Sequence, residues 1–321
     1  MSQRSASEYI RRGLTPFFRL QAVSFEASEP YSGYDAVILG VPFDQGTTYQ
    51  PGARFAPYEI RRVSALVQGF HSAHKIDVFE ALRVVDGGNV AFPPFSASGA
   101  REAIELEVSR VVGAGAVPLV VGGDHSVALP AMRAVSCRHG PLAVVHVDAH
   151  LDTSDASVWG EAYHHGTPIR HAITDGLIEK GQLYQVGVRA SWGHGGEADL
   201  STAYGATLAS ANDVVDRGPR AVAAEIAAAI GPRPVYITFD IDGVDPAFAP
   251  GTGTPVPGGL SSREVISFLR ALAGVRLVGM DVVEVCPPLD HADLTSHLAA
   301  HVLFEGLALA ALARTGAVAS M

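Results

Sequence analysis

The stretch "PLAVVHVDAHLD", residues 141–152, decides how this chain is read. Its first half is an apolar run of strand length, suited to a strand buried on both faces. Its second half places Asp148, His150 and Asp152 at alternate positions. In an extended segment such positions point the same way, with neighbours about 6–7 Å apart at a rise of about 3.3 Å per residue. Ala149 and Leu151 then point the other way. Lone charged groups at the end of a core strand cost several kcal/mol each. The pattern therefore calls for partners that arrive from elsewhere in the chain.

Working outward, similar apolar runs recur at 34–43, 82–88, 116–123, 182–190, 234–242 and 276–285. Helix-like stretches lie between them, at 56–68, 99–114, 126–138, 167–180, 218–230, 262–273 and 294–314. Strands apolar on both faces, alternating with helices, predict a parallel sheet covered on both sides. No Ser- or Pro-rich linker interrupts the alternation, which predicts one domain over 1–321. Residues 1–33 are expected to be an N-terminal extension packed on the domain or on a neighbouring subunit. The last helix, "LTSHLAAHVLFEGLALAALAR", is expected to pack against the sheet or another subunit.

Composition narrows the classes. The 321 residues are 48% hydrophobic, with 34 Gly and 20 Pro, as in a compact globular protein rich in turns. A net charge of −10 disfavours a general nucleic-acid role. No run of about 18 apolar residues appears, so no membrane span is expected. The start, "MSQRSASEYIRRG", lacks the apolar core of a secretory signal. Cys137 and Cys286 are in no metal-ligand spacing and are expected to be free thiols. Together these predict a cytoplasmic protein.

In open α/β sheets the functional groups gather at the carboxyl ends of the strands. "GGDHS" (122–126), "DAHLD" (148–152), "DIDGVD" (240–245) and "VVEV" (282–285) each follow an apolar run. Asp148, Asp152, Asp240 and Asp242 bring four negative charges, and His125 and His150 bring neutral ligands. Two divalent cations would neutralise that set. Oxygen and imidazole donors without thiolate favour Mn²⁺, with Zn²⁺, Ni²⁺, Fe²⁺ and Co²⁺ also compatible. Two metals about 3.5–4 Å apart would hold a bridging hydroxide near neutral pH.

These motifs resemble the ureohydrolases, the family of arginase, agmatinase and the guanidino-acid hydrolases. The resemblance extends through "GVPFDQGTTYQPGARFAPYEIR" (40–61), "HHGTPIRHA" (164–172), "FDIDGVDPAFAPGTGTPVPGGL" (239–260) and "GMDVVEVCPPLD" (279–290), and is nearer the agmatinase branch. It implies a three-layer α/β/α sandwich around a parallel sheet of about eight strands. It implies that His125, Asp148, Asp152 and Asp240 hold one metal and Asp148, His150, Asp240 and Asp242 the other, with Asp148 and Asp240 bridging. It assigns proton shuttling to His165, guanidinium binding to Glu284, orientation of the hydroxide to Asp152, and a place near the substrate to Thr254. It also implies a homo-oligomer, a trimer or a hexamer. One departure is Asn89 in "DGGN", where the family typically has Asp.

The expected reaction is hydrolysis of a guanidinium to urea and an amine by a metal-bridging hydroxide. Agmatine is the first expectation. A guanidino acid such as 4-guanidinobutyrate or 3-guanidinopropionate, another substituted guanidine, and a clavam-type intermediate are alternatives. Different readings are a metal-dependent deacetylase of related fold and a non-catalytic assembly subunit. Tyr163, Arg170, Arg189, Trp192 and His194 are candidates for reading the substrate's tail, with the loops 71–79 and 191–200 near the pocket mouth. His146 is expected to be a buried supporting or packing residue, His164 either a supporting or a surface residue, and Cys286 a packing residue.

Overall fold

The computed structural model describes residues 16–24, 28–192 and 195–316. The apolar runs form β1 (Ala36–Gly40), β2 (Val84–Asn89), β3 (Val117–Val121), β4 (Leu142–Val147), β5 (Ile178–Val188), β6 (Thr207–Ser210), β7 (Pro234–Asp240) and β8 (Arg276–Val283). They make one eight-stranded sheet in the order β2-β1-β3-β8-β7-β4-β5-β6. Every neighbouring pair is parallel.

The helices of seven residues or more are α1 (Ala56–Ser64), α2 (Ala97–Gly113), α3 (Ala128–His139), α4 (Pro168–Thr174), α5 (Gly196–Tyr204), α6 (Ala211–Arg217), α7 (Pro219–Ile230), α8 (Ser262–Ala271) and α9 (Leu294–Thr315), and single helical turns lie at Val78–Ala81 and Ala156–Trp159. Alternation along each strand feeds two separate cores. Val145 and Val147 face one with Ile60 of α1, Val214 of α6, Val222 of α7, Val265 of α8 and Leu303 of α9. Val144 faces the other with Ile104 of α2, Val135 of α3 and Ile169 of α4. The expected three-layer α/β/α sandwich is the fold observed.

The apolar helix α9 is a core helix: 83% of its most apolar window is buried. Its one mid-helix acid, Glu305, accepts from His71 at 2.8 Å and from Arg270 at 2.9 Å. His71 stands in a two-strand hairpin, Phe70–His71 with Ile76–Asp77. The motif in 71–79 is thus an anchor onto α9, not part of the pocket mouth as expected. Within 1–33, Phe17 and Phe18 are fully buried, and Phe18 packs on Phe79 and Phe304.

Several elements differ from the sequence reading. β6, α5 and α6 were not expected. β6 is a four-residue edge strand whose Thr207 and Leu208 are exposed, so no buried run marks it. The stretch 167–180 is helical only to Thr174, and β5 begins at Ile178 rather than 182.

Gly123 ties the central strand ends together. Its N–H donates to Val41 O at 3.0 Å, and its own carbonyl accepts from Glu284 N at 2.9 Å. A Cβ there would sit 1.7 Å from the carbonyl oxygen of Phe43. Backbone must move to admit it, so Gly123→Ala is expected to cost about 3 kcal/mol, the upper end for overpacking. Chemical denaturation followed by circular dichroism measures this, and an unchanged midpoint would show the contact to be soft.

Candidate metal centre

β3, β8, β7 and β4 are adjacent at the middle of the sheet, and their carboxyl ends deliver the polar groups. His125 opens the short 3-10 turn His125–Val127 after β3. Asp148, His150 and Asp152 follow β4. Asp240 ends β7 and caps the 3-10 turn Ile241–Gly243, which carries Asp242. Glu284 follows β8.

The local geometry departs from the extended ladder expected for "DAHLD" and "DID". β4 ends at Val147. The chain then bends, with His150 N donating back to Asp148 Oδ1 at 2.6 Å and Asp152 at φ +54°. Asp242 N likewise donates to Asp240 Oδ1 at 2.8 Å. The turns still bring the same side chains together, because Ala149, Leu151 and Ile241 take the apolar side.

The centre of the cluster is one nitrogen. His125 Nδ1 lies 3.1 Å from Asp148 Oδ2, 2.9 Å from Asp152 Oδ2 and 3.2 Å from Asp240 Oδ2. Its other nitrogen, Nε2, is 2.7 Å from Thr238 Oγ1, and Thr238 donates its own proton to Asp281 at 2.7 Å. The hydroxyl can therefore only accept from Nε2–H, so Nδ1 is the nitrogen left to face the three carboxylate oxygens, and it offers them a lone pair whenever the ring is neutral. His125 Nδ1 and Asp152 Oδ2 are both buried without a hydrogen-bond partner. Separations near 3 Å are what donors about 2.1 Å from a shared ion would show, so the donor set fits a cation. A second group adjoins it: His150 Nδ1 lies 3.3 Å from Asp148 Oδ1 and 3.0 Å from Asp242 Oδ2. Asp148 belongs to both groups.

The proton affinities express the same demand for positive charge. Burial, then repulsion from Asp242 and Asp148, pushes Asp240 well up. Burial disfavours charge on His125 and His150. The surrounding carboxylates outweigh this, raising His125 strongly and His150 to about 12.

Beside this cluster His165 Nδ1 meets Glu284 Oε1 at 2.9 Å, and its Nε2 meets Thr48 Oγ1 at 2.8 Å. Burial works against the imidazolium, but Glu284 prevails and His165 rises to about 9. Glu284 Oε1 also accepts from His125 N at 2.9 Å. Glu284 is 2% exposed and stands at φ +61°. It lies behind His165 and does not itself line the cavity. Thr254 lines it and makes a long contact, 3.4 Å, to Asp242 Oδ2.

The cavity over the cluster holds about 350 Å³. Its rim is formed by Ser154, Val158, Trp159, His164, Ser191, Trp192 and Glu197. Trp192 and His164 are therefore pocket residues. His164 is 6% exposed, with Nδ1 accepting from Gly166 N at 3.1 Å. Three other tail-reading candidates are committed elsewhere. Arg170 donates to the carbonyls of Thr153 and Ser154, both at 2.8 Å. Arg189 donates to those of Asp242 and Val256, both at 2.7 Å. Tyr163 stacks on His171 at 4.4 Å, with Arg101 on its ring. His194 lies outside the described residues. Asn89 accepts from Arg61 at 2.7 Å, away from the cluster, and Cys286 is buried near Pro51. Thr48, Thr238, Asp281, Gln185 and Glu197 were not singled out from sequence. His146, Thr238, Gln185 and Asp281 carried a signal: a polar residue inside an otherwise apolar strand.

A family model described as the arginase family matches residues 34–308. Proclavaminate amidinohydrolase of Streptomyces clavuligerus is 44% identical over 84% of this chain and 86% of its own length. Its solved structure superposes with a TM-score of 0.87 at 42% identity, covering 93% of this chain and 97% of that one. Guanidinobutyrase of Pseudomonas aeruginosa is 39% identical over 92% of both chains. Agmatinase of Proteus mirabilis is 40% identical over 88% of this chain and 90% of its own. On the family model, the relatives and the shared fold, this chain belongs to the arginase family.

Proposed function

We propose that this amidinohydrolase acts on a small guanidine with a cationic tail, agmatine first, using two Mn²⁺ ions. The hydrolase class follows from the family, whose members depend on a dinuclear metal centre. The observation that carries the site is His125 Nδ1 facing three carboxylate oxygens. His125, Asp148, Asp152 and Asp240 suit one ion, and Asp148, His150, Asp240 and Asp242 the other. When bound, such a pair supplies Lewis acidity and a water acidified to near neutral pH.

The remaining chemistry belongs to the chain. Glu284 lies behind His165, so a guanidinium reaches its carboxylate by displacing the His165 ring and taking over the hydrogen bond that His165 now makes, through paired N–H donors. That frees the His165 imidazolium to protonate the departing nitrogen as the C–N bond breaks. Water's oxygen ends in urea, and the tail leaves as an amine. Asp152, with its unpartnered oxygen, orients the attacking water. Thr48 holds the far side of the His165 ring.

The tail assignment rests on the rim. Among the described residues that line the cavity there is no Lys or Arg, and the acidic rim residue is Glu197, 5% exposed and already engaged within the chain, so a tail would share its carboxylate. Two unit charges about 6 Å apart at an effective dielectric near 20 interact by about 3 kcal/mol. A carboxylate tail meets that as repulsion and an ammonium tail as attraction. Trp159 and Trp192 offer ring faces to the same cation.

Urea release from agmatine and 4-guanidinobutyrate, measured first in Mn²⁺ and then in Ni²⁺, tests this reading. Agmatine should be favoured at least tenfold in kcat/KM, and Glu197→Gln should remove about tenfold from agmatine alone. A preference for the acid overturns the tail assignment, and no urea from any guanidine overturns the activity. Asp148→Asn should lower urea release by orders of magnitude and reduce bound metal, since Asp148 serves both ligand groups; wild-type turnover would remove its shared role.

His165 makes a pH prediction. Its folded value, about 9, exceeds its ordinary value near 6.5. The folded state therefore binds more protons between those limits. The His165–Glu284 pair stabilises fully below about pH 6.5, and that contribution is lost as pH rises through about 9. Histidine NMR titration of the chelated protein should show a midpoint near 9 that falls toward 6.5 in Glu284→Gln. A midpoint near 6.5 in the wild type would be incompatible with the pair.

A further inference from the structure

A row of polar side chains crosses the sheet one layer beneath the ligands. Gln185, His146, Thr238 and Asp281 lie on the adjacent strands β5, β4, β7 and β8, in direct register with one another. Each is 0% exposed. His146 and Thr238 stand two residues before Asp148 and Asp240, so they share the ligands' side of their strands. Thr238 and Asp281 set the tautomer of His125. The other half of the row ends on Gln185.

Every hydrogen bond of Gln185 has a determined direction. Its Nε2 donates to the carbonyl of Leu151 at 2.8 Å, which only a donor can satisfy. The same nitrogen donates to His146 Nδ1 at 3.1 Å. Its Oε1 accepts from Ser201 on α5 at 2.7 Å. With Nδ1 accepting, the His146 proton sits on Nε2, which is 2.7 Å from Asp148 Oδ2. One amide thus reaches both ends of "DAHLD": Asp148 through His146, and the backbone between His150 and Asp152 through Leu151. A valine or leucine here would leave the Leu151 carbonyl, His146 Nδ1 and the Ser201 hydroxyl buried without the partners the amide supplies, and two of those three belong to the ligand loop and its support.

We propose that Gln185 is the positioning residue of the metal-ligand loop, holding Asp148 in its shared orientation through His146. This rests on the reading of Asp148 as a ligand of two ions. Supporting side chains around metal ligands typically govern 10–100-fold in metal affinity. Gln185→Met keeps length and bulk but removes both donors, leaving Leu151 O and His146 Nδ1 buried and unpaired. Ser201→Ala leaves the donors and frees the amide to turn.

The experiment is Mn²⁺ binding by equilibrium competition with a chelator on the full chain, with kcat and KM for agmatine at saturating Mn²⁺. Gln185→Met is expected to weaken Mn²⁺ binding about 10–100-fold. KM for agmatine should stay within about twofold of wild type, because no substrate contact is lost. Ser201→Ala should weaken Mn²⁺ severalfold, and it decides the matter if Gln185→Met does not fold. Wild-type Mn²⁺ affinity in Gln185→Met, or in Ser201→Ala where only that variant folds, assigns Gln185 to packing and overturns the proposal. A wild-type protein that binds no Mn²⁺ overturns the functional reading itself, and this inference with it.

Discussion

The rest of this structure depends on one imidazole nitrogen that faces three carboxylate oxygens within 3.2 Å. In an interior where two charges about 4 Å apart interact by several kcal/mol, such a cluster is self-repelling without cations. No folded chain would assemble it for stability. It persists because the sheet leaves little choice: β3, β8, β7 and β4 run parallel and adjacent, so their carboxyl ends must meet. The charges then have to be neutralised by something the chain does not encode.

Two residues at the cluster are held in a backbone conformation that side chains other than glycine rarely adopt. Asp152 and Glu284 both take positive φ, at a cost of order 1–3 kcal/mol each. Surrounding bonds over-determine both. The Asp152 carbonyl accepts from Ile169 N at 3.1 Å and Arg170 N at 3.2 Å, and Glu284 N donates to Gly123. Left-handed geometry turns each side chain back over the end of its strand. An extended continuation would carry Asp152 away from His125 and Glu284 away from His165. Against a total stability of about 5–15 kcal/mol these are substantial costs, and at these two positions they aim side chains of the site.

The sequence made the ligand residues legible because a charged residue at the end of a buried strand has few explanations. Asp148, His150, Asp152, Asp240, Asp242 and His125 all meet in the structure, although tight turns rather than extended ladders deliver them. β6 was hidden because a short edge strand with exposed Thr207 and Leu208 has no apolar run to betray it. The start of β5 was hidden because "IEKGQL" mixes polar residues and glycine into a strand. Arg170, Arg189 and Tyr163 misled for a different reason. A sequence shows that an arginine carries donors, but not that neighbouring carbonyls have already consumed them. His146 gave its parity away, yet only the register across β4, β5 and β7 shows that it belongs to a continuous polar row.

Relatives about 40% identical to this chain are named for proclavaminate, guanidinobutyrate and agmatine chemistry. A centre built from strand ends sees the guanidinium and little else, so such a centre cannot separate those tails. Discrimination has to come from groups that rise above the sheet, on segments free to vary without disturbing the ligands. Here those segments are the stretch Ser154 to Trp159, which ends in the helical turn Ala156–Trp159, and the start of α5 with Glu197. They are also anchored to the ligand loop, since Thr153 Oγ1 donates to the Glu197 carbonyl at 2.9 Å and Ser201 donates to Gln185. A rim that varies with the substrate must still return its backbone to those two anchor points. The tail-reading surface can therefore change its side chains more freely than its path, and under the proposed function position 197 is where a change of charge would alter selectivity without touching a metal ligand.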